Sequence, residues 1–289
     1  MTSKLRRRDF LTVCGGVSAL MCTNSINLFG AEPQTRYKIG ICDWDLGGVA
    51  GNPKSFEVAK GFGFDGVEVS YSPDGEFSLS KKENRKLFLD AAKKANCEIS
   101  SIAMGLLNGR PLATVPEAEQ WVVDCIDAML DMNVKKVLLA FFGDGDIKDN
   151  LEARKTVIEK LKRLGPIAEK QGRILCVESY LSAREHLDLL QAVGCDAVKV
   201  YYDEQNMLTK EYPIYEDMEL LLKEKAIAQV HMKEYDARLG EGKVDFTKIK
   251  NLLVKYDYKD WLVVETSVKG DWKESQTANA AYLRKLFNQ

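Results

Sequence analysis

The sequence predicts an α/β fold, a closed (β/α)8 TIM barrel, on three observations. Short apolar runs alternate with helix-like segments eight times from Tyr37 onward. Residues 174–206 read as strand, helix, strand, with Leu187, Leu190 and Val193 at helical spacing between two runs that each end on an acid, Glu178 and Asp203. No linker or shift of composition divides the chain, and eight βα units over about 250 residues fit a closed barrel. An open, doubly wound sheet is the alternative, and it usually uses fewer units.

The strands are expected at Tyr37–Cys42, Gly66–Ser70, Glu98–Ala103, Lys136–Phe141, Ile174–Val177, Val198–Tyr202, Ala228–Met232 and Trp261–Val264. Helices follow at about 53–61, 80–95, 116–131, 149–170, 184–193, 213–225, 245–256 and 274–287, with ends uncertain by about two to four residues. Asn52-Pro53, Thr114-Val115-Pro116 and Tyr212-Pro213 mark helix starts. Gly61-Phe62-Gly63-Phe64-Asp65-Gly66 fits G-x-G-x-x-G, but it follows a helix and precedes a strand, the reverse of the dinucleotide order. It therefore reads as a helix-stop turn. Leu239-Gly240-Glu241-Gly242 reads as a flexible loop that shapes or covers a pocket, since no phosphate-loop Lys-Ser or Lys-Thr follows.

The first 31 residues read as a separate export signal, leaving 36–289 as one barrel domain. Arg7-Arg8-Asp9-Phe10-Leu11 resembles the twin-arginine motif, and Leu11 to Cys22 is a weakly apolar stretch too short to span a bilayer. The resemblance implies an exported, periplasmic protein, secreted folded and often with its cofactor loaded. Four basic residues and Asp9 give this segment +3, so a net charge of −2 leaves a body at −5. A mildly acidic body argues against nucleic acid as a partner. No later segment is long and apolar enough for stable membrane insertion. Cys42, Cys97, Cys125, Cys176 and Cys195 follow the signal at wide spacings with no C-x-x-C pair, which excludes a zinc knuckle and a disulfide framework.

Four strand ends carry the chemistry. Val177-Glu178, Tyr202-Asp203, Val230-His231 and Val264-Glu265 each set a polar residue after an apolar one. Period-two alternation turns the apolar member toward the helices and the polar one toward the barrel axis. Three carboxylates and an imidazole are thus aimed at one point. Carboxylates about 4 Å apart repel by roughly 4 kcal/mol per pair at an effective dielectric near 20. One divalent metal removes that conflict; three oxygens and one nitrogen suit Mn2+ best, with Mg2+, Co2+ or Zn2+ also accommodated.

These motifs resemble the xylose isomerase-like TIM-barrel superfamily, in the sugar isomerase and epimerase branch that includes the ketose 3-epimerases. The resemblance runs from Tyr37 to the C-terminus. It rests on Val177-Glu178-Ser179-Tyr180-Leu181-Ser182-Ala183, Tyr201-Tyr202-Asp203-Glu204-Gln205-Asn206, Val230-His231-Met232-Lys233-Glu234 with Gly240-Glu241-Gly242, and Val263-Val264-Glu265. It implies one metal, usually Mn2+, on Glu178, Asp203, His231 and Glu265, with Glu178 and Glu265 as the catalytic acid–base pair. The match is incomplete. Asn206 stands where ketose 3-epimerases carry a His, Arg184 where they carry a Glu, and Arg238 lies one residue beyond their substrate Arg.

Such a site makes an enediolate by removing a proton beside a carbonyl. Return of the proton to the same carbon epimerises a sugar, and return to its neighbour isomerises it. Loss of a β-substituent makes the enzyme a lyase or hydratase on an oxidised, 3-keto sugar or glycoside; a non-catalytic sugar-binding protein is a third reading. Candidate substrate contacts are Trp44, able to stack on a sugar face, Glu68, Asn206, Lys233 and Arg238. His186 lies on a predicted helix and reads as structural. The expected partners are a small-molecule sugar and, for assembly, a homo-oligomer.

Overall fold

Bulky aliphatics occupy alternate positions along the strands, and that alternation dictates the architecture. The computed structural model describes residues 37–266 and 270–288; the twin-arginine-like motif lies outside the described residues. Eight strands, β1 (Ile39–Cys42), β2 (Gly66–Ser70), β3 (Glu98–Met104), β4 (Lys136–Phe141), β5 (Ile174–Ser179), β6 (Val198–Asp203), β7 (Ile227–Met232) and β8 (Leu262–Val264), pair in parallel in chain order. β1 pairs with both β2 and β8, so the sheet closes and the open-sheet alternative is excluded.

The helices are α1 (Ser55–Gly61), α2 (Lys82–Ala95), α3 (Ala118–Asp131), α4 (Leu151–Lys170), α5 (Ala183–Val193), α6 (Glu204–Thr209), α7 (Ile214–Lys223), α8 (Phe246–Lys255) and α9 (Trp272–Phe287). α6 was not expected. It is capped by Asp203, whose side chain accepts from the Asn206 N–H, so a site carboxylate also starts this short helix. Gly61 to Gly66 is a helix stop, with Gly63 at a φ of 93° and the Phe62 N–H bonded back to Val58 and Ala59.

Two cores result. Val67, Val69, Ile102, Val137, Leu139, Leu175, Val177, Val200, Val230 and Val264 face out and pack with the helices into one continuous apolar layer. A smaller cluster, Ala103, Leu138, Ala140, Cys176 and Tyr201, fills part of the barrel interior. Beside it the interior carries polar side chains: Glu68, Ser101, Gln229 and His231 are all buried. Gly66 makes room at the base, because a Cβ there would lie 2.6 Å from the Trp261 ring.

α5 opens with a reciprocal cap. Ser182 accepts from the Glu185 N–H, and Glu185 accepts from the Ser182 N–H at 2.9 Å. Burial alone would raise Glu185, but the Lys148 ammonium and the Ser182 donors outweigh it and lower the carboxyl to about 2. A depressed carboxyl adds stability above its unfolded value and loses it as pH falls through the folded one. Glu185→Gln is expected to cost about 1 kcal/mol at pH 7. In urea titrations the gap from wild type should shrink as pH falls from 4.5 toward 2.

Candidate active site

The four strand-end residues meet at the C-terminal mouth because the register brings them level. Asp203 pairs with His231, and His231 with Val263, two residues before Glu265. One ligand atom from each of Glu178, Asp203, His231 and Glu265 lies within 4.8 Å of all the others. His231 is the hub. Its Nδ1 is 3.1 Å from Glu178 Oε1, 3.1 Å from Glu265 Oε2 and 3.7 Å from Asp203 Oδ2.

Lys233, also inward-facing, sets its Nζ 2.8 Å from Glu265 Oε2 and 3.2 Å from Asp203 Oδ2. Asn206 Nδ2 donates to Glu178 Oε1 at 3.3 Å, and Trp44 Nε1 donates to Glu265 Oε1 at 3.2 Å. The Tyr235 hydroxyl donates to Asn206 Oδ1 at 2.8 Å. Burial raises Glu178 to about 7. Burial would raise Glu265 as well, but Lys233 and His231 outweigh it and hold that carboxyl well below the usual range. Burial disfavours the charged form of His231, yet Tyr201, Cys42 and the carboxylates of Glu265 and Glu178 push its pKa well above the ordinary value.

The residues fit a divalent ion. The donor set is three carboxylates and one imidazole, all but Glu265 fully buried. Asp203 Oδ2 is buried and accepts no hydrogen bond, although the Lys233 ammonium is near. A desolvated carboxylate oxygen with a free lone pair facing three other donors is what a cation site requires.

A pocket of about 410 Å³ opens over this cluster. Glu178, Asn206, Lys233, Glu265, Trp44 and Tyr235 line one part; Tyr71, Leu106, Leu138, Ala140, Phe142 and Tyr180 line another. Trp44, Asn206 and Lys233, three of the expected contacts, line this pocket. Two other expected contacts do not. Glu68 is fully buried beneath His231, with its Oε1 3.1 Å from Nε2, and is absent from the pocket wall. Arg238 turns to α9, donating to Glu274 Oε1 and Ser275 Oγ.

The Gly240–Gly242 loop does not line the pocket either. Its Gly242 packs on the Glu234 carboxylate, where a Cβ would come 2.1 Å from Oε2. The aromatic wall of Tyr71, Phe142, Tyr180 and Tyr235 is not marked by any motif in the sequence. Its residues come from loops without periodicity. His186 is structural as expected, its Nε2 3.0 Å from Ser179 Oγ.

Fold and site define a (β/α)8 protein whose mouth gathers three carboxylates and an imidazole beneath a pocket. The chain belongs to the xylose isomerase-like TIM barrel family, whose model matches residues 56–286. No curated protein sequence matches it. Among solved structures, it is similar to a D-psicose 3-epimerase from Clostridium cellulolyticum H10, at a TM-score of 0.71 and 17% identity over 86% of this chain and 99% of that one. A 3-keto-D-glucoside 4-epimerase from E. coli gives 0.68 and 17% over 86% and 99%. A sugar phosphate isomerase/epimerase from Parabacteroides distasonis ATCC 8503 gives 0.68 and 18% over 92% and 98%. At these identities the likeness establishes the shared fold. Among the described residues no helix is long and apolar enough to cross a membrane.

Titrating Mn2+ into the protein should raise its melting temperature, by the equivalent of about 2.7 kcal/mol at a hundred times Kd. Asp203→Asn should weaken Mn2+ binding by more than about a hundredfold, beyond the loss typical of an outer partner. Electron paramagnetic resonance of free Mn2+ measures both affinities.

Proposed function

We propose that the protein is a divalent-metal-dependent sugar isomerase or epimerase in which Glu178 and Glu265 form the acid–base pair. The observation that carries this reading is the convergence of Glu178, Asp203, His231 and Glu265 under one pocket. A bound ion, Mn2+ by the mixed oxygen and nitrogen donors, supplies Lewis-acid polarisation of a carbonyl and its neighbouring hydroxyl. Everything else falls to the chain.

Glu178 and Glu265 stand on strands separated by β6 and β7, so they reach a substrate from different sides. One takes the proton beside the carbonyl, giving the enediolate, and the other returns a proton. Lys233 presents a fixed positive charge at the pocket wall beside Glu265, suited to an oxygen that gains negative charge. Trp44 and Tyr235 offer ring faces to the sugar, and Asn206 holds Glu178.

The apolar part of the pocket favours a second reading. Tyr71, Phe142 and Tyr180 give a ring-bearing substituent a surface beyond the reacting sugar, as Phe142 and Tyr180 already stack edge-on at 4.7 Å. A 3-keto-glycoside losing its aglycone would use both parts. The Arg7-Arg8 motif supports export, so we place the enzyme in the periplasm. Cell fractionation with and without Arg7 and Arg8 tests that placement.

Incubation of the Mn2+-loaded enzyme with free ketoses and with 3-keto-glycosides in D2O should produce an epimer, an isomer or released aglycone, with deuterium at the reacting carbon. Glu178→Gln and Glu265→Gln should each lower kcat by about 10²–10⁴. Sugar binding without turnover under any of these metals would make the protein a binding module. Full activity of Glu178→Gln would remove it from the mechanism.

A further inference from the structure

We infer that Glu68 is the positioning residue of the metal centre: it holds His231 in the tautomer that presents Nδ1 to the ion. The inference rests on the metal reading above and extends it to a carboxylate that does not line the pocket and meets the four ligands only through the far nitrogen of His231.

The two nitrogens of His231 face different surroundings. Nδ1 faces Glu178, Asp203 and Glu265. Nε2 points into the barrel, 3.1 Å from Glu68 Oε1 and 3.5 Å from Cys42 Sγ. Glu68, Cys42 and His231 are all fully buried, so no solvent decides which nitrogen carries the hydrogen. The neighbours decide it.

Ser101 Oγ donates to Glu68 Oε2 at 2.6 Å. Ser101 Oγ in turn accepts from Gln229 Nε2 at 2.8 Å, which leaves its own hydrogen for Glu68. The hydrogens thus run one way, from Gln229 to Ser101 to Glu68. Nδ1 is the nitrogen that faces the other three ligands, so an ion held there leaves the ring a single N–H, at Nε2, and Glu68 Oε1 is placed to accept it at 3.1 Å.

Two further contacts keep the ring in place: Tyr201 packs on it with centroids 4.3 Å apart, and Trp44 meets it edge-on at 6.4 Å. The Cys42 thiol sits 3.6 Å from Glu68 Oε1. A carboxylate bonded to the far nitrogen of a metal-bound imidazole orients the ring and makes it a more basic ligand, and losing such a partner typically costs about 10–100-fold in metal affinity.

The test uses the full chain and two measurements. Nitrogen-15 spectra of histidine-labelled protein loaded with Zn2+ report the tautomer directly, and only His186 and His231 contribute. The expected result is that the histidine whose signals move on loading carries its proton on Nε2 and its metal on Nδ1. Calorimetric titration with Mn2+ should show Glu68→Gln binding about 10–100-fold more weakly, with an unchanged far-ultraviolet spectrum. Ser101→Ala, a milder change that frees Glu68, should weaken binding less, and it serves if Glu68→Gln does not fold. Zn2+ held by Nε2, or Mn2+ affinity unchanged in Glu68→Gln and Ser101→Ala, overturns the inference while leaving the metal reading intact. Wild-type protein that takes up no metal overturns both.

Discussion

Three carboxylates and an imidazole are taken out of water at one point, and the barrel mouth depends on a positive charge that holds them together. At about 4 Å and an effective dielectric near 20 each like-charged pair costs roughly 4 kcal/mol, comparable to a large part of a domain's net stability. The structure answers part of that cost with Lys233, whose ammonium touches Asp203 and Glu265, and with the His231 ring, whose pKa is pushed up beside these carboxylates. It does not answer all of it. Asp203 Oδ2 still accepts no hydrogen bond, and burial pushes Glu178 up to about 7. We propose that a divalent ion supplies the remainder, and this is why we read the cluster as a metal centre rather than as a structural ion-pair network.

The barrel makes the cluster possible by separating two jobs on each strand. Outward residues such as Val177, Val200, Val230 and Val264 are committed to the helical layer, so folding energy comes from there. Inward residues are then free to be polar, provided they bond to one another. Gln229, Ser101, Glu68 and His231 do so in one buried chain, and Glu178, Asp203 and Glu265 close it at the mouth. The interior is a hydrogen-bonded support under the site, beside an apolar cluster drawn mainly from β3, β4, β5 and β6.

Much of this was legible in the sequence because it follows period-two alternation. Glu178, Asp203, His231 and Glu265 each follow an aliphatic or aromatic residue that faces out, and the strands β2 and β4 lie where alternation set them. α6 was not legible. Its six residues are too few for a 3.6 period to show, and Asp203 had been read only as a strand end. Ser182 and Glu185, in contrast, carried a capping signal that places the start of α5 at Ala183, one residue before the expected 184. Alternation with Val67 and Val69 turns Glu68 inward, but its partner is 163 residues away, and no local pattern reports depth along a strand. It therefore passed for a pocket residue while sitting one layer below. Arg238 was assigned by its distance along the chain from His231. One residue of offset turned its guanidinium toward Glu274 and Ser275.

The central claim is that side chains 178, 203, 231 and 265 share one cation. Anomalous diffraction from crystals of Mn2+-loaded protein, collected at the manganese edge, tests it most directly. The account predicts a single strong peak at a coordination distance of roughly 2.0–2.6 Å from an atom of each of the four residues, with His231 contributing Nδ1. A barrel mouth without that peak, with Lys233 still bridging Asp203 and Glu265 at saturating Mn2+, would contradict it.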